Sequence, residues 1–159
     1  MTVKMKYRPD IDGLRAIAVL AVLFFHAEVS VFSGGYVGVD VFFVISGYLI
    51  TTKIAQGIQT GTFSFITFYE QRIRRIFPAL FAVIISTLLI GGWLFDAESY
   101  TELGESSVAT TLSLANIFFW MQAGYFDKPS VLKPLLHTWS LSIEEQFYLI
   151  LPLALVLLF

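Results

Sequence analysis

Stretches of about twenty mostly apolar residues recur along this chain, the length an α-helix needs to cross the hydrocarbon core of a bilayer. They fall at about 11–30, 36–53, 78–95, 108–125 and 141–159. Lipid cannot hydrogen-bond a backbone, so a chain of this pattern must satisfy its peptide groups internally, as helices do. The expected fold is all-α: a multi-pass transmembrane helix bundle with about five spans. Composition agrees, with 57% hydrophobic and only 14% charged residues, where a soluble domain carries about a quarter charged. There is no cysteine, which excludes a disulfide framework and a thiolate metal site. Lys4, Lys6 and Arg8 before the first apolar run resemble the start of a signal peptide. That run, however, contains Arg15, has no clean cleavage site and is followed by more spans, so it reads as a retained span. The last run, LPLALVLLF, ends without a polar cap, and the chain reads as the first part of a longer protein.

Basic residues set the expected orientation. Lys4, Lys6, Arg8 and Arg15 precede or open the first span, and Lys53, Arg72, Arg74 and Arg75 fall between the second and third, together eight of the ten Lys and Arg residues. The positive-inside rule then puts the N-terminus in the cytoplasm. The acidic stretch Asp96 to Glu105 is expected as an outer turn. Counting five crossings places 126–140, with Lys128 and Lys133, back in the cytoplasm.

Within this apolar background a few ionisable residues stand out, and each is costly to place in a membrane helix. Arg15 and His26 are eleven residues apart on the first span, about 20° past three full helical turns and about 16 Å along the axis. They share one face with Asp12, a polar stripe that carries His26 inward. Asp40 opens the second span, as an acid favoured by the helix dipole or as the partner of a buried cation. Arg72 and Arg75, in FYEQRIRRIFP, share a helix face and suit phosphate or pyrophosphate as a fork; a basic loop that anchors to headgroups has the same composition. In PLLHTWSLSIEEQFYLILP, His137, Glu144 and Tyr148 align on one face if the helix begins early enough, with Glu145 beside them. The alternative is a helix N-terminus with first-turn acids and with Trp139 and Tyr148 as interfacial anchors.

Taken in order, RPDIDGLRAIAVLAVLFFH, GGYVGVDVFFVISGYLIT, FYEQRIRRIFPAL and HTWSLSIEEQFYLILPL resemble the acyltransferase-3 family of multi-pass membrane O-acyltransferases. The resemblance runs from Tyr7 to Pro152 and makes residues 1–159 the N-terminal part of such a membrane domain. It implies an enzyme of the bacterial cytoplasmic (inner) membrane that moves an acyl group, usually acetyl from cytoplasmic acetyl-CoA, to a hydroxyl of an extracytoplasmic glycan. O-antigen, lipopolysaccharide and other cell-envelope glycans such as peptidoglycan are the acceptors it implies. Family members have about ten spans, often followed by an SGNH-type domain, so activity is expected of the longer protein. The family's arginine–ten residues–histidine pattern falls on Arg15 and His26, its cytoplasmic RxxR on Arg72 and Arg75, and its acid on Glu144.

The chemistry fits. The donor is anionic and cytoplasmic and the acceptor is outside, so a group within the membrane must meet the acyl carbon between them. His26 is expected as a general base or transient acyl carrier, Arg15 as the charge at the cytoplasmic mouth, and Arg72 with Arg75 as the holders of CoA phosphates. The implied partners are acyl-CoA, glycan and membrane lipid, with no metal and no nucleic acid. Two other classes share the composition. A transporter would show inverted repeats and interrupted helices. A non-catalytic glycan- or lipid-binding paralogue would keep the fold without needing His26.

Overall fold

The structure, a computed structural model, describes residues 8–124 and 129–158. Those residues form six α-helices joined by short turns: α1 Pro9–His26, α2 Gly38–Gln59, α3 Phe65–Leu94, α4 Ala97–Thr111, α5 Ala115–Gln122 and α6 Thr138–Leu158. Among the described residues three stretches are long and apolar enough to cross a membrane, Gly35–Gln59, Phe65–Leu94 and Thr138–Leu158. Large apolar side chains cover much of the surface; Trp93 is 93% exposed and Leu157 87%. That is the pattern of a multi-pass helical protein whose outer face meets lipid.

The helix ends differ from the sequence expectation in an instructive way. α1, α2 and α4 each close with the same paired hydrogen bonds, a Schellman motif. In α1 the Glu28 N–H donates to Phe25 O and the Val29 N–H to Phe24 O; in α2 Gly61 and Thr62 donate to Ile58 and Gly57; in α4 Ser113 and Leu114 donate to Thr110 and Ala109. The motif needs a left-handed residue. Gly61 supplies one, but Glu28 and Ser113, both at φ 57°, supply the other two. α1 therefore ends at His26 rather than continuing to Ser30, and His26 is its last residue. The expected span at 108–125 is likewise divided, into the end of α4 and the short α5. The acidic stretch from Asp96 is a helix start, with the Asp96 carboxylate accepting from the Ser99 N–H at 2.7 Å. α3 begins well before Pro78, at Phe65, where the Ser64 hydroxyl accepts from the Thr67 N–H. Its 30 residues run about 45 Å, longer than the hydrocarbon core, so its charged first turns extend beyond the apolar length. Lys4, Lys6, Lys128 and Tyr125 lie outside the described residues.

The chain divides into two compact units, one of residues up to Phe63 with those from Leu151, the other from Ser64 to Ile150. In the first, α1 and α2 approach until backbone meets backbone. A Cβ on Gly38 would lie 2.5 Å from the Ala18 carbonyl oxygen and 2.8 Å from a Val22 methyl, and one on Gly35 would run into the Ala21 carbonyl. Small residues permit this contact, which membrane helices use in place of a hydrophobic drive.

The second unit has an apolar core formed by Leu80 and Ile84 of α3, Leu103 of α4, Ala115 and Phe119 of α5, and Leu135. α4 runs back along α3, with Leu103 against Gly91 and Tyr100 against Gly92. α5 then turns back along α4, so that Phe118, Phe119 and Gln122 share a small cleft with Ser99, Glu102, Leu103 and Ser106. The bend between them is held by α6. Gln146 Nε2 donates to Ser113 O at 2.8 Å and exchanges amide hydrogen bonds with Asn116, while the Ser142 hydroxyl accepts from the Ala115 N–H at 3.1 Å. Thr110 and Thr138 share a buried hydrogen bond of 2.9 Å. Interrupted backbone is tolerated at membrane depth only where protein satisfies the freed groups, and these α6 side chains do so.

Candidate functional site

The described residues hold two clusters of chemically able side chains, one in each unit. In the first, Arg8 clasps Asp10 through bonds of 2.9 and 2.6 Å, and its guanidinium holds the Asp10 carboxyl down at about 2. One turn on, Arg15 pairs with Asp12 at 3.8 Å. At the far end of α1, His26 Nδ1 lies 2.8 Å from the Val22 carbonyl oxygen. A carbonyl only accepts, so Nδ1 carries the proton and donates it. In the neutral ring that leaves the lone pair on Nε2. The ring was expected inside the helix and inside the protein; it is instead exposed at the helix end, because the left-handed Glu28 stops α1 there. Asp40 sits in the first turn of α2, exposed, and no salt bridge reaches it among the described residues. This is the position that the helix dipole favours.

The second cluster joins the basic end of α3 to α6. The Arg72 guanidinium lies over the Tyr148 ring, 4.4 Å from its centre, and 5.8 Å from that of Phe68. Tyr148 is 4% exposed, and its hydroxyl donates to Glu144 Oε2 at 3.1 Å. Glu145 stands next to it with Oε1 buried and without a hydrogen-bond partner among the described residues. The charges of both carboxylates act on Arg72. The Tyr69 hydroxyl adds a bond to Leu149 O at 3.0 Å. Arg72, Glu144, Glu145 and Tyr148 thus come together as a group. Arg75 does not join them: it is exposed, while the neighbouring Arg74 pairs with Glu70 at 2.8 Å. The two arginines of RxxR have different surroundings, one over an aromatic face and one in the open.

His137 is separate from this group. α6 begins at Thr138, one residue too late to carry it, and its Nδ1 donates instead to Pro134 O at 3.1 Å. The expected alignment with Glu144 is lost for that reason, whereas Glu144 and Tyr148, four apart on the helix, do meet. Phe68, Ser142 and Gln146 are the participants that sequence reasoning passed over. Phe68 carries no polar signal. Ser142 and Gln146 sit between the residues that were singled out, and their partners become visible only once the helix break is known.

The chain matches the family described as "Acyltransferase domain" over residues 8–159. It is 41% identical to the peptidoglycan O-acetyltransferase OatA of Listeria monocytogenes, over 92% of this chain and 24% of that protein. It is 40% identical to the putative peptidoglycan O-acetyltransferase YrhL of Bacillus subtilis, over 95% of this chain and 24% of the relative. The O-acetyltransferase OatA of Staphylococcus aureus is 37% identical, over 96% and 25%. The chain thus spans about a quarter of the length of these relatives. No solved structure matches.

Proposed function

The chain belongs to the acyltransferase-3 family, and from that premise we propose that it forms part of a membrane O-acetyltransferase acting on a cell-wall glycan. The names of its relatives favour peptidoglycan over O-antigen as the acceptor. The donor in this reading is acetyl-CoA on the cytoplasmic side, where the Arg72–Arg75 end of α3 also lies by the positive-inside rule. Arg72 and Arg75 receive the CoA phosphates, the first from a fixed position over Tyr148 and the second from a free arm.

The observation that carries the reading is the His26 tautomer. The Val22 carbonyl holds the proton on Nδ1, so Nε2 offers its lone pair without a rearrangement. In acyl transfer the acceptor hydroxyl oxygen attacks the thioester carbonyl carbon, the carbon–sulfur bond breaks, and the hydroxyl proton leaves. Nε2 takes that proton as a base; on the carrier route it first attacks the thioester carbon and expels the thiolate, and the acceptor oxygen then attacks the acyl-imidazole, breaking the carbon–nitrogen bond and giving its proton to the freed Nε2. Either use returns the proton to the CoA thiolate. Arg15, about three turns below, supplies positive charge toward the donor side. Glu144 accepts from the Tyr148 hydroxyl and so holds the ring on which Arg72 rests.

The test is His26→Gln in the full-length protein. Glutamine hydrogen-bonds but neither takes up a proton near neutral pH nor forms an acyl adduct. The expected result is normal expression with glycan acetylation reduced by at least about 10²-fold, the lower range for a lost general base. A well-expressed variant that acetylates at the wild-type rate would make His26 structural.

A further inference from the structure

We infer that α4 and α5 form a re-entrant helical hairpin that enters and leaves the membrane on one face, so that 129–137 lies on the face opposite Arg72. Counting five crossings put this stretch on the Arg72 side; the packing within the second unit argues otherwise.

Neither helix is long enough to cross. α4 has 15 residues and α5 has 8, about 22 Å and 12 Å of rise against a core of about 30 Å. They could cross only end to end, and they are folded back instead. Gln122, at the end of α5, shares a cleft with Ser99 and Glu102, at the start of α4. Lys133 and Pro134 line the same cleft, and the Lys133 ammonium lies 6.0 Å from the centre of the Phe119 ring. The chain after α5 is therefore level with the place where α4 began. That place is the far end of α3, since Tyr100 and Leu103 pack on Gly92 and Gly91.

From there the chain descends once more. Leu135 joins the core beside Leu103 and Phe119, and Thr138 bonds to Thr110 near the bend. Ser142 and Gln146 seal the bend itself, and Tyr148 reaches Arg72. α6 thus runs antiparallel to α3, from the hairpin side to the basic end. The arrangement leaves the charge bias intact, because eight of the ten basic residues keep their assignment. It moves Lys133 and His137 to the side of Glu98 and Glu102. On the proposed orientation, the cleft between Ser99, Glu102, Gln122 and Lys133 then opens toward the acceptor rather than the donor.

Residues 1–159 contain no cysteine, so single reporters can be placed in them, in a full-length background whose cysteines elsewhere are replaced by serine. Ile66→Cys marks the basic end of α3 and Ala97→Cys the start of α4, both at exposed positions. Ser130→Cys and Gly124→Cys report on the disputed connection and are also exposed. Each is expressed in the full-length protein and labelled with an impermeant maleimide on intact and on opened cells, with denatured protein giving total thiol. Ser130 and Gly124 are expected to follow Ala97 and to oppose Ile66. If both follow Ile66, the hairpin crosses and the inference fails. The readout needs no enzymatic activity and compares positions with one another, so it stands apart from the acyltransferase reading and from the absolute orientation.

Discussion

The two clusters handle charge in opposite ways. His26 stands at a helix end with its ring exposed and one hydrogen bond, which fixes a proton and leaves a lone pair open. Arg72 is half-buried over an aromatic ring, in the field of two carboxylates, one of which has a buried oxygen without a partner among the described residues. The first arrangement suits a group that must exchange something with a substrate, since its reactive atom is unencumbered. The second suits a group that must stay where it is, since packing and field both hold it. Reactivity in this chain is thus expected where the protein does least to the side chain, and positioning where it does most.

Amide substitutions test that contrast most severely. His26→Gln should cost at least about 10²-fold in acetylation. Glu144→Gln keeps an oxygen that can accept from the Tyr148 hydroxyl, so it should cost less than His26→Gln when both are measured at matched expression. An equal loss would move the chemistry to the second cluster. Within the first cluster, Arg15→Lys should retain more activity than Arg15→Ala, because charge at that point matters more than geometry.

The next effect is on folding. Gln146→Leu removes the partner of Ser113 O and of Asn116 at the helix break; these groups are part-buried, so the cost should fall toward the lower end of the about 1–3 kcal/mol of a buried unsatisfied group. The expected sign is a lower temperature of thermal aggregation in detergent. An unchanged value would mean that the break is sealed by something other than α6.

A smaller difference should separate the two arginines of RxxR. Arg72→Lys loses the planar contact with Tyr148, worth about 0.5–2 kcal/mol, and should weaken donor use and lower stability together. Arg75→Lys keeps its charge on an exposed arm and should shift the apparent donor affinity by about twofold or less. Equal effects from both would return the pair to a simple fork.

The smallest concerns pH. Asp10 is held at about 2 by Arg8, below its ordinary value near 3.9. A depressed carboxyl contributes stability that is present above the unfolded value and is lost as pH falls toward the folded one. Arg8→Ala should remove that contribution, so the acid limbs of the two stability profiles should converge as pH drops from about 4 to about 2. Both side chains are exposed, so the separation above that range should be slight.

The helical fold and the family were legible in the sequence, because apolar length and the four ordered motifs need no tertiary information. Glu144 with Tyr148 was legible too, since four-residue spacing on a helix is enough. The helix ends were not. A chain terminates a helix in the left-handed region most cheaply with glycine, and Gly61 followed that rule; Glu28 and Ser113 did not, so nothing in the composition announced them. From those two residues follow the exposure of His26 and the division of the expected fourth span, on which the proposed reassignment of 129–137 rests. The unequal surroundings of Arg72 and Arg75 were hidden for a different reason, since they depend on the pairing of α3 with α6.

The contact between α1 and α2 has a consequence at the level of the gene. Where two backbones touch, the usable alphabet contracts to a single letter, because every other residue brings a carbon atom into space already taken by a carbonyl. Each nucleotide change that alters the codon for Gly35 or Gly38 either ends translation or installs such a carbon. The lipid-facing positions of the same helices accept any apolar residue. The helix that carries His26 is therefore held by two positions at which every amino-acid change brings a clash, and a mutational survey of α1 and α2 should find sharp intolerance there, at residues with no side chain to take part in chemistry.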